Sequence, residues 1–339
     1  MLFNIWVTQD CNLSCKYCYE KKKRKRYMSL EEADAVIAFI LKYQTDKTNQ
    51  VNFHGGEPLL NWDVIEYIVK QINHSSLKKG RFRFSFTTNG ILLTNDVLRF
   101  SKENDVLISV SIDGKPETHN KNRVDMSGKD TYHMVEECLR RLDESGINYE
   151  IRMTYNAKTI SELACNVKFL LENFNCSCLR WAPDYFDCGW NEEKVQIFIK
   201  QYRSIMEYQK KLKKEQAEKI AVLNIDNFNK LGRCCGGITE MNIDTGGDLY
   251  PCTFACGKEA FLIGNIKDGP DIERINRVYG TMQKSYPRCE TCQNKDYCIG
   301  NRCKMINYME DTCCGNTYIE NLCRLSNAEI TLLREQWML

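Results

Sequence analysis

Apolar segments alternate with amphipathic ones along the first half of this 339-residue chain, and that alternation limits the folds open to it. "LFNIWV", "QVNFHGG", "RFRFSFTTNG", "VLISVSIDG", "NYEIRMTYN" and "SCLRWAP" read as strands, either continuously apolar or alternating at period two. Between them, "SLEEADAVIAFILKY", "WDVIEYIVKQI", "TNDVLRFSKEN", "DTYHMVEECLRRLDESG" and "TISELACNVKFLLENF" space their apolar residues as amphipathic helices do. Ser29, with Glu32 three residues on, predicts a capping box at the start of the first helix. Six strands joined by five helices imply an α/β fold with a parallel sheet and right-handed crossovers. Six are too few to close an eight-stranded barrel, so a partial (β/α)6 TIM barrel and a doubly wound sheet are the two options.

The residues directly after the strands are the ones suited to chemistry. Cys11, Cys15 and Cys18 follow the first strand, "HGGEP" the second, "TTNG" the third and "SIDG" the fourth. All lie at carboxyl ends, where α/β sheets build ligand sites. Gly55 and Gly56 permit close approach of backbone to a neighbour. The chain has 19 cysteines and four histidines, no long apolar run and no signal-peptide start. Disulfides need an oxidising compartment, so the expectation is a cytoplasmic protein whose thiolates hold zinc or iron–sulfur clusters. Net charge is +2 with 27% charged residues, and no overall field argues for nucleic acid or membrane. Three thiolates at C-x3-C-x2-C spacing are one short of a closed site. Either a fourth ligand comes from elsewhere, as in a zinc knuckle, or one iron of a cubane stays open.

Residues 191–231 read as a lysine-rich bridging helix and linker. From Cys234 onward come short segments, turns such as "DTGGD" and more than half of the cysteines, without apolar periodicity for an independent core. That pattern suits a small domain held together by metal. The run "KKKRKR" at residues 21–26 reads as a solvated loop or as an electrostatic guide for an acidic peptide.

The opening cluster, with Tyr17 before its last cysteine, resembles the signature of the radical S-adenosylmethionine (SAM) superfamily. The resemblance implies a 4Fe–4S cluster on Cys11, Cys15 and Cys18, with SAM chelating the fourth iron. One electron then cleaves SAM to a deoxyadenosyl radical that takes a hydrogen atom from the substrate. Gly55, Gly56 and Glu57 resemble the family's GGE motif, which meets the methionine amino group. "TTNG" (Thr87, Thr88, Asn89, Gly90) and "SIDG" (Ser111, Asp113) are similar to segments that line ribose and carboxylate. Arg123 is implied as counter-ion of the SAM carboxylate, and Arg152 or Asn156 on strand five as further contacts.

The C-terminal cysteines, with Gly247 before Cys252, resemble the SPASM extension of that superfamily, as do "IDTGGDLYPC" and "FLIGNIKDG". By that resemblance Cys235, Cys252 and Cys303 serve a first auxiliary 4Fe–4S cluster. Its fourth ligand is Cys256 or Cys234, or its iron is left open for a substrate thiolate. Cys289, Cys292, Cys298 and Cys323 serve a second, with Cys313 or Cys314 as alternatives to Cys323. The four residues between Cys298 and Cys303 depart from the usual three. Cys138, Cys165, Cys176, Cys178 and Cys188 read as buried packing residues.

The expected layout is a partial barrel over 1–185, a bridge over 186–231, a SPASM domain over 232–325 and a C-terminal helix over 326–339. The expected activity is that of a peptide maturase forming a thioether or carbon–carbon crosslink in a Cys-containing precursor. The alternatives are an anaerobic sulfatase-maturing, formylglycine-generating enzyme and a peptide epimerase. Expected partners are the peptide and a reductant such as flavodoxin or ferredoxin. Because Met1 lies almost on the first strand, leader recognition falls to a separate protein or to the barrel rim. The rival from another class is a non-catalytic zinc or electron-transfer module, which never cleaves SAM.

Overall fold

Strands β1 (Leu2–Thr8), β2 (Thr48–Gly55), β3 (Arg81–Thr88), β4 (Val106–Ser111), β5 (Tyr149–Tyr155) and β6 (Cys178–Pro183) pair in chain order. Each is parallel to the next. These observations come from a computed structural model that describes residues 1–20, 23–184, 186–225, 228–232, 234–282, 287–303 and 316–337. A doubly wound sheet reverses its strand order at a switch point, and this one does not, which leaves the partial barrel.

Helices α1 (Leu30–Tyr43), α2 (Trp62–His74), α3 (Asn95–Glu103), α4 (Pro116–Asn122), α5 (Tyr132–Ser145) and α6 (Leu163–Asn173) lie between the strands. The capping box forms as expected: Glu32 N donates to Ser29 Oγ at 3.2 Å and Ser29 N to Glu32 Oε2 at 2.7 Å. Helix α4 was not legible as an element, although Pro116 sits at its start, where a missing N–H costs nothing.

Strand alternation sorts the side chains. Phe3, Ile5, Val51, Phe53, Phe84, Phe86, Ile108 and Ile151 are buried in the core. The alternate residues form a polar row inside the barrel. Ser85 Oγ donates to Asn52 Oδ1 (2.6 Å), Asn52 Nδ2 to Asn4 Oδ1 (3.1 Å) and Asn4 Nδ2 to Glu240 Oε1 (3.1 Å).

Glu240 belongs to the C-terminal half, which joins the barrel directly. Strand β7 (Glu240–Ile243) pairs parallel with β1. Strands β8 (Asp248–Tyr250), β9 (Gly264–Asn265) and β10 (Gly269–Pro270) continue the sheet antiparallel. Met241, Ile243, Leu249, Phe261 and Ile263 enter the same core as the barrel strands. The segment's poor apolar periodicity thus reflects a core shared with the barrel.

The lysine-rich bridge is α7 (Glu192–Gln209) followed by α8 (Lys214–Glu218). Helix α7 buries Val195, Phe198, Tyr202, Ile205 and Met206, so it has a full apolar face. Trp181 Nε1 donates to Tyr202 Oη at 2.8 Å, and Tyr202 Oη donates to Glu329. Glu329 lies on the last helix. Among the described residues α9 (Ile272–Met282), α10 (Pro287–Glu290) and α11 (Ile299–Arg302) precede that one. The last, α12 (Asn316–Trp337), starts earlier than the C-terminal helix expected from residue 326 and carries Cys323. Cys313, Cys314, Lys21 and Lys22 lie outside the described residues. Among the described residues no helix is long and apolar enough to cross a membrane.

Candidate functional site

The loop after β1 is fixed by its own backbone. Asp10 N donates to Thr8 Oγ1 at 3.0 Å and Cys11 N to Asp10 Oδ1 at 2.9 Å. Leu13 N donates to Cys11 Sγ at 3.4 Å, and Cys18 N to Cys15 O at 3.1 Å. Ser14 N and Lys16 N reach Val124 O (2.8 Å) and Asn122 O (2.9 Å), which lashes the loop to the end of α4. The two glycines of "GGE" let β2 close against it. A Cβ on Gly55 would sit 2.4 Å from Thr8 O, and one on Gly56 2.2 Å from Asp10 O and 2.9 Å from Cys11 Cβ. No side chain fits there.

Glu57 is 1% exposed. Its carboxylate accepts from Leu59 N (3.1 Å), Thr88 Oγ1 (2.7 Å) and Asn89 N (2.8 Å). Burial pushes it up to about 7 against those hydrogen bonds. Among the described residues it makes no ion pair, and the Lys23 charge acts on it from a greater distance. Asn89 Nδ2 donates to Asn12 Oδ1 at 2.8 Å and ties β3's end to the cysteine loop.

Asp113 holds a second buried knot. It accepts from Tyr17 Oη (2.5 Å) and Thr154 N (3.0 Å) and pairs with Arg123 Nε at 3.1 Å. The Arg123 guanidinium lies 5.3 Å from the Tyr17 ring centre, a cation–π contact. Arg123 is 7% exposed and far from an ordinary surface arginine. His119 accepts from Asp113 N through Nδ1 at 3.4 Å, and its Nε2 lies 3.1 Å from Thr131 Oγ1. Burial, with the Arg123 charge, holds its imidazole down to about 3. The unfolded chain therefore binds the proton first as pH falls below 6.5, and the native state loses stability in that window. Urea midpoints of wild type and His119→Asn, compared from pH 6.5 down to 4, are expected to show the wild type losing more stability. Parallel losses would remove this role for His119.

These elements enclose a cavity of about 490 Å³. Cys11, Cys15, Cys18 and Tyr17 line it, as do Gly55, Gly56 and Glu57. Thr88, Asn89, Ser111 and Arg123 complete that wall. Two expectations shift. Asp113 lies behind the wall, engaged with Tyr17, Arg123 and Thr154, and Asn156 bonds Asn122 and Thr159. Arg152 does line the cavity. Sequence reasoning missed His54, Lys23 and the opposite wall of Phe186, Thr253 and Phe254. Strand parity would have found His54, which lies two residues after inward-facing Asn52. The Tyr19 ring meets Phe254 edge-on at 5.2 Å, and Phe254 meets Phe186 at 5.7 Å.

The C-terminal cysteines fall into neighbourhoods. Cys292 Sγ donates to Asn327 Oδ1 at 3.8 Å, and Asn327 Nδ2 donates to Cys323 Sγ at 3.3 Å, so one amide bridges two thiols. Burial raises the Cys323 thiol, and the neighbouring Cys298, Cys289 and Cys292 add to it. Burial pushes Cys252 up to about 12, with Cys303 the next contributor. Cys256 is raised by burial and by Asp244, Glu20 and Cys252. Tyr279 Oη donates to Cys234 O and Gly236 O at 2.8 and 2.9 Å, which folds the Cys234–Cys235 turn onto α9. Among the described residues no three His, Cys, Asp or Glu side chains converge on a single metal ion. Cys138 and Cys176 are buried packing residues as expected, and Cys165 and Cys188 are exposed.

Three thiols and the buried Glu57 carboxylate thus line one cavity at the carboxyl end of the sheet. Residues 5–159 match the model described as the Radical SAM superfamily, and the chain carries a radical SAM domain. That superfamily's chemistry uses SAM and a 4Fe–4S cluster. The chain is 24% identical over 331 residues to a cysteine-type anaerobic sulfatase-maturating enzyme of Clostridium perfringens, covering 88% of each. It is 22% identical over 332 residues to a radical SAM cyclopropyl synthase of Paramaledivibacter caminithermalis, covering 91% of this chain and 66% of that one. The solved structure of native anSMEcpe with bound AdoMet and Cp18Cys peptide has the same fold, with a TM-score of 0.77 at 20% identity and 98% of each chain covered.

The residues present fit that cofactor. Three thiols sit on one loop, the Gly55–Gly56 approach admits backbone contact, and Glu57 offers a buried acceptor for an ammonium group.

Proposed function

We propose that this chain is a radical SAM/SPASM-type maturase that oxidises a cysteine or serine of a protein or peptide to formylglycine. The observation that carries this reading is the match to sulfatase-maturating enzymes, which runs along nearly the whole of both chains. In this reading Cys11, Cys15 and Cys18 hold the SAM cluster. Cys235, Cys252 and Cys303, with Cys256 or Cys234, hold a first auxiliary cluster, and Cys289, Cys292, Cys298 and Cys323 a second. When bound, these groups supply one-electron reduction, hydrogen-atom abstraction and an acceptor for the second electron.

The chain's own residues do the rest. Glu57 receives the methionine ammonium, while Thr88, Asn89, Ser111 and Arg123 orient the remainder of SAM. Thr253 and Phe254 directly follow Cys252, so the substrate wall of the cavity is continuous with an auxiliary ligand. Phe186, Phe254 and Tyr19 shed water from that wall. A peptide segment enters between it and the SAM wall, and a flavodoxin or ferredoxin delivers electrons.

Crosslinking of a ribosomally made peptide is the second reading, favoured by the likeness to the cyclopropyl synthase along most of this chain. Anaerobic incubation with SAM, reductant and short Cys- or Ser-containing peptides encoded beside the gene tests both. Formylglycine reacts with a hydrazide probe, and from cysteine it forms with loss of sulfur. A crosslink keeps its sulfur, loses two hydrogens and ignores the probe. Deuterium uptake without other mass change would mean epimerisation. Zinc in place of iron, or no deoxyadenosine from cluster-loaded protein, would overturn both.

A further inference from the structure

The basic run after the cysteine loop splits in two. Arg24, Lys25 and Arg26 are exposed, and Arg26 pairs with Glu32. Lys23 turns inward, with its side chain 18% exposed. Its Nζ donates to Cys18 Sγ at 3.2 Å, and Glu20 Oε2 stands 3.9 Å away. The same ammonium acts electrostatically on Cys11, Cys15 and Glu57. Arg123, the other cation beside the thiols, is committed to Asp113 at 3.1 Å. Lys23 is thus a cation of the cavity wall whose ammonium bonds one of the three thiols and acts on the other two and on Glu57.

We propose that Lys23 is a positioning residue for the iron–sulfur cluster, whose ammonium bonds the Cys18 sulfur and makes the cluster easier to reduce. This rests on reading Cys11, Cys15 and Cys18 as cluster ligands. Reduction adds one negative charge to a partly enclosed site, where a fixed cation is only weakly screened by salt. Hydrogen bonds to ligand sulfurs and the local net charge are main levers on cluster potential, and one ammonium supplies both. The basic run is thus solvated at Arg24, Lys25 and Arg26 and turned inward at Lys23. Its first described member faces the redox site.

The test is an EPR-monitored redox titration of the full-length, cluster-loaded protein, following the signal that changes on adding SAM. Lys23→Met and Lys23→Arg are compared with wild type at equal iron and sulfide content. Lys23→Met is expected to lower the reduced-to-oxidised ratio at fixed potential about tenfold, which is about 59 mV for one electron. Lys23→Arg, which keeps the charge, is expected to stay near wild type. An unchanged ratio in Lys23→Met overturns the proposal. Should that variant fail to hold its iron, wild type labelled with ¹⁵N-lysine decides the matter. A hyperfine coupling from Nζ to the reduced cluster supports the contact, and its absence overturns it. A wild type with no SAM-responsive signal would instead overturn the cluster reading itself.

Discussion

Cys15→Ala protein, loaded with iron and sulfide and reduced with SAM, is expected to form no deoxyadenosine above background. Cys292→Ala protein is expected to form it and yield no modified peptide. The loop supplies three thiols and no reserve, because Ser14 N and Lys16 N lash the Cys15 segment to Val124 and Asn122. A cubane left with two protein ligands is not held firmly enough to bind and cleave SAM. Asn327 bridges Cys292 to Cys323, and Cys292 does not line the cavity. Chromatography of deoxyadenosine and mass spectrometry of the peptide read the two outcomes separately. Equal loss of both in Cys292→Ala would mean that the C-terminal cysteines only hold the fold together.

The buried ion pair beneath the cysteine loop should show the largest stability effect. Side-chain exposure is 9% for Arg123 and 0% for Asp113, so removing one partner strands a charge in the core. Arg123→Met is expected to cost about 3–5 kcal/mol. The double variant Arg123→Met/Asp113→Asn should recover part of that, since both charges leave together. Urea unfolding of the apo protein measures each corner of the cycle. A single-variant cost below about 1 kcal/mol, typical of an exposed pair, would show that the knot is well solvated. Tyr17 is bonded to Asp113 next to Cys18, so Arg123→Met should also hold its cluster less firmly, seen as faster iron loss to a chelator.

Periodicity made the six strands and most helices legible, and it set which rim residues gather, because strand order and carboxyl ends follow from local pattern. Tertiary choices left no such trace. Glu240–Ile243 is four residues long, too short for any period, yet it pairs with β1 and draws the C-terminal half into the sheet. Lys23 sits among like charges, and the Cys18 thiol and the Glu20 carboxylate turn it inward. Asp113 and Asn156 carry the right chemistry for a ligand, but the fold engages both in holding neighbouring strands and loops. Cys165 is exposed because its position on the helix decides burial, and Cys188 is an exposed loop residue engaged in a disulfide.

The β7–β1 pairing has a consequence for how the molecule tolerates being shortened. A piece of this chain ending before residue 234 would lack β7 and leave one side of β1 without strand partners. An uncovered apolar edge of that kind is a template for adding strands from other molecules. Such a piece should self-associate, with the three-cysteine loop beside the sticky edge. The C-terminal segment thus guards the barrel against its own copies while it brings Thr253 and Phe254 to the cavity.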